Sequence, residues 1–319
     1  MKTAVVGVGN IGKHHARVYS ETKDSQLVAV ADLNEVIGQE ISKKHNCRFY
    51  KSHNELIEKE KPDAVSICVP TSLHRQVASD FIKAGVNVLV EKPIAITIED
   101  AKEMESLAKK HNVKLMIGHV ERFNPAVQKL KEIIKSGELG TITSLLARRV
   151  GLFPPQVRDT NVIADLAVHD IDVFNYLLDS HPTEIFSGKG KALTNNAEDY
   201  ASIFLKYNGT NGLIEVNWIT PVKIRVLNVT GTKGYAELNY ITQEISLYNT
   251  TYEKGHEKFG EFVLKFSGSP KRDIHVEKKE PLRVEIEHFL DCVKNNKDPL
   301  TNGESAIRTL DVAIRAMKN

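Results

Sequence analysis

A glycine pattern near the N-terminus restricts the fold more than any other feature of this sequence. Gly7-Val8-Gly9-Asn10-Ile11-Gly12 follows a β-branched run, Thr3–Val8, and opens an amphipathic segment. In such a turn the first glycine permits a sharp bend, the second lets a pyrophosphate approach the backbone, and the third allows close packing of helix on strand. The N–H groups of the helix N-terminus then face the phosphates. We therefore predict that Gly7, Gly9, Asn10, Ile11 and Gly12 bind a dinucleotide.

An acidic residue at the end of the next predicted strand supports the same site. Asp32 follows Gly12 by 20 residues, the spacing at which a carboxylate accepts hydrogen bonds from the cofactor ribose. The carboxylate would repel a 2′-phosphate, and residues 33–37 contain no Arg or Lys to offset it. The sequence therefore favours NAD over NADP.

Short apolar strands alternate with amphipathic helical segments through the first 120 residues. This alternation, with short connections, is typical of a parallel sheet covered by helices on both faces. We therefore expect a doubly wound Rossmann domain over residues 1–120. Its predicted strands are Thr3–Val8, Gln26–Ala31, Ala64–Val69, Asn87–Val90 and Lys114–Ile117, and its predicted helices lie near 11–20, 34–45, 73–84 and 98–111.

The pattern changes after Gly118, where successive strands separated by turn signals such as Asn208-Gly209 indicate an antiparallel sheet. Residues 121–319 are predicted to form a substrate-binding and oligomerisation domain, a mostly antiparallel open sheet with helices on one face. Its last helix could pack back on the first domain. The predicted elements are a helix at 124–136, a strand at 141–150, a long helix at 161–178, strands from 183 to about 247, a long loop or irregular edge strand at 251–279, and helices near 282–295 and 304–317.

Composition and charge exclude several classes of protein. The net charge is +2 with both signs interspersed, which does not favour a nucleic-acid or membrane-surface partner. No apolar run reaches the roughly 18 residues of a membrane helix, and no signal peptide is recognisable. The three cysteines, Cys47, Cys68 and Cys292, lie far apart without a CxxC pair, so we expect neither disulfides nor structural zinc. These features predict a reducing, cytoplasmic compartment.

Two further motifs indicate a family. Glu91-Lys92-Pro93 follows the strand predicted at 87–90, and an Asp165-x-x-x-His169 pair lies on the long predicted helix. Together with the glycine turn and the Pro70-Thr71-x-x-His74 segment, they resemble the glucose-fructose oxidoreductase / inositol dehydrogenase / MocA family over the whole chain. The resemblance implies a nicotinamide-dependent sugar dehydrogenase whose active site consists of Lys92, Asp165 and His169.

The chemistry of these three residues agrees with that implication. Asp165 and His169 are four apart, so they share one face of a helix, and Lys92 ends a parallel strand, where open α/β sheets bind ligands. Oxidation of a secondary alcohol needs a proton acceptor, for which His169 is suited. Lys92 can stabilise the developing alkoxide, or can itself be the base, and Asp165 can hold the substrate or the imidazole. No further His, Cys or carboxylate cluster has ligand spacing, so no metal is expected.

Other residues are assigned to the cofactor or the substrate. Thr71 and His74 follow the strand ending at Val69 and are expected to line the cofactor cleft, and Glu91 is assigned to the cofactor site with Lys92. The resemblance places Arg122 near the nicotinamide and substrate, with an interdomain salt bridge as the alternative. Arg158, with one of Arg148 and Arg149, could neutralise a diphosphate, although all three could equally be surface charges.

Residues 118–127 bear on the substrate. Gly118-His-Val-Glu-Arg122-Phe-Asn-Pro-Ala-Val127 resembles the UDP-N-acetylglucosamine 3-dehydrogenase branch of the family. That branch oxidises the C3 hydroxyl of the nucleotide sugar to a ketone. Two alternatives are a dehydrogenase of a free polyol or monosaccharide, such as myo-inositol or glucose, and a non-catalytic regulator that binds dinucleotide.

The second domain's sheet also predicts self-association. Residues 212–219 include Leu213, Val216, Trp218 and Ile219, which is more apolar surface than a solvated sheet face carries. We therefore expect a homodimer or homotetramer built through this sheet.

Overall fold

The computed structural model describes residues 1–152, 160–193, 197–249, 253–256, 262–265 and 271–318. The chain forms two compact units, neither continuous in sequence. The first unit comprises Met1–Phe123 and Lys279–Asp311, and the second comprises Asn124–Lys278 and Val312–Asn319. Residues 279–311 therefore belong with the first unit, whereas the sequence analysis assigned them to the second domain. Across the described helices, none is both long enough and apolar enough to cross a membrane.

The first unit contains a six-stranded parallel sheet in the order β3-β2-β1-β4-β5-β6. Its central strands are buried on both faces, which explains their continuous apolar character. The predicted Rossmann topology is thus confirmed. The strands are β1 Lys2–Val6, β2 Gln26–Ala31, β3 Arg48–Tyr50, β4 Ala64–Ile67, β5 Asn87–Glu91 and β6 Leu115–Gly118.

Helices cover this sheet, and several begin at side-chain caps. Asn34 accepts hydrogen bonds from two N–H groups of the helix that follows it, and Thr97 accepts one from the Asp100 N–H. Gly85, with a φ of +77°, lies just beyond the end of its helix. The helices are α1 Gly12–Glu21, α2 Glu35–Lys44, α3 His53–Glu60, α4 Thr71–Lys83, α5 Ile98–His111 and, from the returning segment, α8 Pro281–Lys294.

The second unit contains an eight-stranded sheet in the order β16-β13-β12-β11-β7-β10-β9-β8, antiparallel except for the β7–β10 pair. The predicted sheet type is confirmed. The elements of this unit are α6 Pro125–Lys135, β7 Ile142–Val150, a π-helical turn Ile163–Ala167, α7 Val168–Leu178, β8 Glu184–Gly190, β9 Tyr200–Lys206, β10 Asn211–Asn217, β11 Ile224–Gly231, β12 Gly234–Asn239, β13 Glu244–Asn249, β14 Glu253–His256, β15 Phe262–Lys265 and β16 Lys271–Ile274.

The core of the second unit lies between α6, α7 and one face of this sheet. Trp218 and Val216 are part of that core, which corrects their assignment to an open apolar face. The opposite face does carry exposed apolar side chains, among them Leu146, Phe186 and Leu213. The final helix, α9 Gly303–Lys318, begins among residues of the first unit and ends among those of the second.

Three local features differ from the sequence-based expectation. The strand β3 and the helix α3 that follows it were not predicted. A three-residue strand such as β3 is too short to show an alternating pattern. The segment 251–279 contains three short strands: β16 pairs at the sheet edge, in line with the edge-strand alternative, whereas β14 and β15 pair with each other. The long helix near 161–178 is interrupted by the π-helical turn.

Candidate active site

The glycine turn between β1 and α1 has the geometry of a dinucleotide site. Gly7 has a φ of +81°, and a Cβ atom there would lie 2.7 Å from the backbone oxygen of Cys68. A Cβ atom on Gly12 would lie 1.8 Å from the Gly7 oxygen, so helix and turn pack in contact. At Gly9 a Cβ would meet nothing within 4 Å, which leaves the backbone open to a ligand. The turn residues therefore fit a pyrophosphate.

The N-terminus of α1 also fits a binding site for a pyrophosphate. In this fully described part of the chain, no side chain caps α1 and its first turn contains no acidic residue. Its N–H groups and partial positive charge are thus available to an anion.

Asp32 lies at the carboxyl end of β2 and is tied to the same turn. Its Oδ2 accepts a hydrogen bond from the Val8 N–H at 2.7 Å, and its Oδ1 accepts one from the Asn34 N–H at 2.8 Å. An ionised carboxylate has about four acceptor positions, so each oxygen can accept a ribose hydroxyl as well. Beside it lies a cavity of about 340 Å³, lined by Gly7, Gly9 and Asp32 among others. Asp32 and the glycine turn therefore border the same cavity.

Lys51 lines this cavity, and sequence reasoning missed it. Residues 33–37 beside Asp32 contain no Arg or Lys, and Lys51 comes near Asp32 only through the unpredicted strand β3. The Lys51 ammonium lies 2.7 Å from a Glu35 carboxylate oxygen. Both groups are exposed, so the pair is weak and water-screened. A short β-prone run, Arg48–Tyr50, was the signal that could have located it.

His74 lies against the backbone rather than on an open cleft. Its Nδ1 is 3.0 Å from the Pro93 oxygen and its Nε2 is 2.9 Å from the Val69 oxygen. Burial lowers the pKa of this imidazole, and a neutral ring can donate through only one of the two nitrogens. His74 therefore links the end of β4 to the Glu91–Pro93 turn. Thr71 is partly exposed at the start of α4.

The Glu91-Lys92-Pro93 turn follows β5, and the Lys92–Pro93 peptide is cis. Lys92 is partly exposed. The Glu91 carboxylate accepts a hydrogen bond from the Lys92 N–H at 3.2 Å and lies 3.0 Å from the His15 Nε2. Glu91 therefore faces the interior of its own unit, whereas the sequence analysis assigned it to the cofactor.

Asp165 lies within the π-helical turn, and His169 lies in the first turn of α7. Both are partly exposed. Such turns are rare and often mark functional sites. Asn161 begins the segment, because its side-chain oxygen accepts hydrogen bonds from the N–H groups of Ile163 and Ala164 at 3.1 and 3.0 Å.

The arginines assigned to a substrate have different environments. Arg149 is buried and forms a bidentate pair with Asp170 of α7, at 2.7 and 3.0 Å. Arg148 points to the opposite face and pairs with Glu215, which confirms that only one of the two is directed inward. Arg122 is buried, and one of its N–H groups donates to the Leu300 oxygen at 3.0 Å. Arg158 lies outside the described residues.

Within the described ranges, one group has ligand atoms close enough for a metal: His15, Cys68 and Glu91, all within 4.8 Å of one another. Burial raises the pKa of the Cys68 thiol well above its ordinary value, which opposes formation of the thiolate that a metal needs. Both His15 nitrogens lie at hydrogen-bond distance from protein oxygens. Hydrogen bonding within the protein accounts for this group.

Comparison with known proteins identifies the family. The model of an oxidoreductase family with an NAD-binding Rossmann fold matches residues 1–119, and the model of the GFO/IDH/MocA C-terminal domain matches residues 127–237. The chain belongs to the GFO/IDH/MocA oxidoreductase family. It is therefore an enzyme of the oxidoreductase class, and its cofactor is NAD.

Several relatives within the family extend over nearly the whole chain. UDP-N-acetylglucosamine 3-dehydrogenase from Acidithiobacillus ferrooxidans is 29% identical over 99% of this chain and 96% of its own length. A solved structure of that enzyme covers 100% of this chain and 97% of its own at 28% identity, with a TM-score of 0.87. The scyllo-inositol 2-dehydrogenase (NAD(+)) of Bacillus subtilis is 27% identical over 99% of this chain and 93% of its own.

Proposed function

We propose that this protein oxidises a secondary hydroxyl of a sugar to a ketone with NAD, and that its substrate is UDP-N-acetylglucosamine, which becomes the 3-keto derivative. The observation that carries the proposal is the partly exposed Lys92 at the carboxyl end of β5, in the same unit as the NAD turn. Ligands of open α/β sheets bind at that edge. The nucleotide-sugar relative, similar over 99% of the chain, supports the choice of substrate.

Each proposed residue has one role in this reaction. Bound NAD would supply the acceptor for the hydride that leaves the alcohol carbon. His169 accepts the hydroxyl proton as that hydride departs, and the Lys92 ammonium stabilises the negative charge on the oxygen. Asp165 orients either the substrate or the imidazole. In the alternative assignment, Lys92 takes the proton and His169 holds the hydroxyl.

The glycine turn and Asp32 would bind NAD. Gly7, Gly9, Asn10, Ile11 and Gly12 surround the pyrophosphate at the start of α1, and Asp32 accepts the ribose hydroxyls. Thr71 and Lys92 belong to the same cleft in this proposal. Arg122 and Arg158 remain candidates for the substrate, although the bond from Arg122 to Leu300 already occupies part of its guanidinium.

A second candidate substrate is a free polyol, since inositol dehydrogenases with about the same identity also extend over the whole chain. Formation of NADH with UDP-N-acetylglucosamine, myo-inositol and glucose separates the two candidates. We expect kcat/KM for the nucleotide sugar to exceed that for either free compound by at least tenfold. Faster turnover of myo-inositol would establish the polyol assignment instead.

Asp32 should determine the choice of cofactor. We expect Asp32→Ala to weaken NAD binding by about 10- to 150-fold, the equivalent of a charge-assisted hydrogen-bond contribution of roughly 1.5–3 kcal/mol. Discrimination against NADP should fall as well, since the carboxylate that repels a 2′-phosphate is gone and Lys51 remains. Titration of each cofactor by fluorescence measures both effects. Glu40→Ala, an exposed charge change on α2, should leave binding unchanged. Equal use of NADP and NAD by the unaltered enzyme would contradict this role of Asp32.

We also propose that the protein self-associates as a homodimer or homotetramer through the open face of the second unit's sheet. The exposed Leu146, Phe186, Tyr200 and Leu213 support this, because these side chains are 40–56% exposed on neighbouring strands.

The three cysteines are free thiols, which is compatible with the proposed cytoplasmic location.

A further inference from the structure

A buried series of hydrogen bonds lies behind the Glu91–Lys92 turn. The Tyr19 hydroxyl is 2.8 Å from the Ser66 hydroxyl, which is 3.0 Å from the His15 Nδ1. The His15 Nε2 in turn lies 3.0 Å from a Glu91 oxygen. Tyr19, Ser66 and His15 are all 0% exposed. The Glu91 side chain is 17% exposed, so the series runs from buried groups of α1 and β4 to a partly exposed carboxylate of β5.

The direction of the hydrogen bond between His15 and Glu91 follows from the charge of the carboxylate. Burial opposes ionisation of Glu91, yet the hydrogen bond from His15 and the charge of Lys92 hold the pKa of Glu91 below its ordinary value. A charged carboxylate only accepts, so the His15 Nε2 carries a proton and donates it. Burial raises the pKa of Tyr19, so its hydroxyl keeps its proton and can hydrogen-bond with Ser66, which in turn lies at hydrogen-bond distance from the His15 Nδ1.

The Glu91 carboxylate is confined on two further sides. Its Oε2 accepts the hydrogen bond from the Lys92 N–H at 3.2 Å. A Cβ atom on Gly118, at the end of β6, would lie 3.2 Å from this carboxyl group. The carboxylate therefore fits between β6 and His15, and the backbone of Lys92 is bonded to it.

We propose that His15 is a positioning residue for Lys92. By donating to Glu91, His15 fixes the carboxylate that holds the Lys92 backbone, and it thereby fixes the point from which the lysine side chain extends. The inference rests on the proposed function of Lys92 at the reacting hydroxyl. Around bound metals, loss of an outer hydrogen-bond partner typically costs about 10- to 100-fold in activity, and we expect a similar scale here because small displacements of reacting groups slow the chemical step.

Substitution of His15 tests this inference in the full-length protein. We expect His15→Leu to lower kcat by about 10- to 100-fold while the dissociation constant for NAD changes by no more than a few-fold. His15→Gln, whose amide can still donate to Glu91, should recover most of kcat. His111→Leu at the end of α5 is the matched control and should behave as the unaltered protein. If NAD binding and kcat fall together in His15→Leu, or if His15→Gln is as slow as His15→Leu, the role is structural and the inference is wrong.

A second readout does not depend on catalysis. Amide hydrogen exchange at Lys92 should accelerate by at least tenfold in His15→Leu and stay near the original rate in His15→Gln, since the Lys92 N–H donates to Glu91. An unchanged exchange rate in His15→Leu would overturn the inference. If exchange accelerates as expected but Lys92→Met leaves turnover intact, the proposed function fails while the positioning of Lys92 by His15 stands.

Discussion

Replacement of Lys92 by Met should lower kcat for sugar oxidation by about 10²–10³-fold, and replacement of His169 by Asn should lower it by about 10²–10⁴-fold. The first substitution removes the positive charge that stabilises the developing alkoxide, and the second removes the acceptor of the hydroxyl proton. NAD should still bind to both variants, because the glycine turn and Asp32 are unchanged. Steady-state kinetics with a separate NAD titration measures these effects.

The pH dependence of kcat/KM distinguishes the two possible bases. A base must be deprotonated to act, so activity should rise with pH through its ionisation. If this rise of kcat/KM with pH disappears in His169→Asn, the base is His169. If it disappears in Lys92→Met alone, the base is Lys92. Lys102→Met, an exposed charge change on α5, is the control. If both substitutions change kcat by only a few-fold, the proposed catalytic residues are misplaced.

Replacement of Asp170 by Asn should lower the free energy of unfolding by about 3–5 kcal/mol. Asp170 is 0% exposed and Arg149 is 5% exposed, and they form the bidentate pair between α7 and β7. The Arg149 guanidinium also lies 4.8 Å from the centre of the Tyr240 ring. The substitution leaves a buried guanidinium without its carboxylate, and this uncompensated charge is the source of the loss. Denaturant unfolding followed by circular dichroism measures it.

A neighbouring ion pair provides the control. Arg148 of β7 and Glu215 of the adjacent strand β10 pair on the exposed face of the sheet, so Glu215→Gln should cost less than about 1 kcal/mol. The double substitution Arg149→Met with Asp170→Leu should recover much of the stability, since no buried charge then remains. An Asp170→Asn variant as stable as Glu215→Gln would show that the buried pair does not hold α7 in place.

Much of the fold could be predicted because its signals are local. Gly7 to Gly12 and Asp32 are close in sequence, and each glycine has a physical reason (a tight turn, the approach of a ligand or close helix packing) that can be recognised without a structure. The buried parallel strands are continuous apolar runs, and the antiparallel ones are separated by turn residues. These patterns depend on neighbouring residues alone, so they located nearly every strand of the first sheet.

Features that depend on distant residues could not be predicted. Lys51 reaches the cofactor cavity only because the short strand β3 pairs at the sheet edge. His15 lies on the helix α1, and its proposed role follows from Ser66 and Glu91, which are 51 and 76 positions away. From the sequence, Arg149 was a candidate for binding a diphosphate, but in the structure its guanidinium pairs with Asp170. The sequence contains these residues, but only the tertiary structure pairs them.

Transfer of deuterium from C3 of UDP-N-acetylglucosamine to NAD is the most direct measurement of the proposed reaction. The hydride that reduces NAD comes from the carbon that becomes the ketone. With substrate deuterated at C3, we expect mass spectrometry to detect the label in the reduced cofactor. We also expect Lys92→Met to abolish most of the labelled product. Reduced cofactor without deuterium, or no reduction with this substrate under conditions where myo-inositol is oxidised, would contradict it.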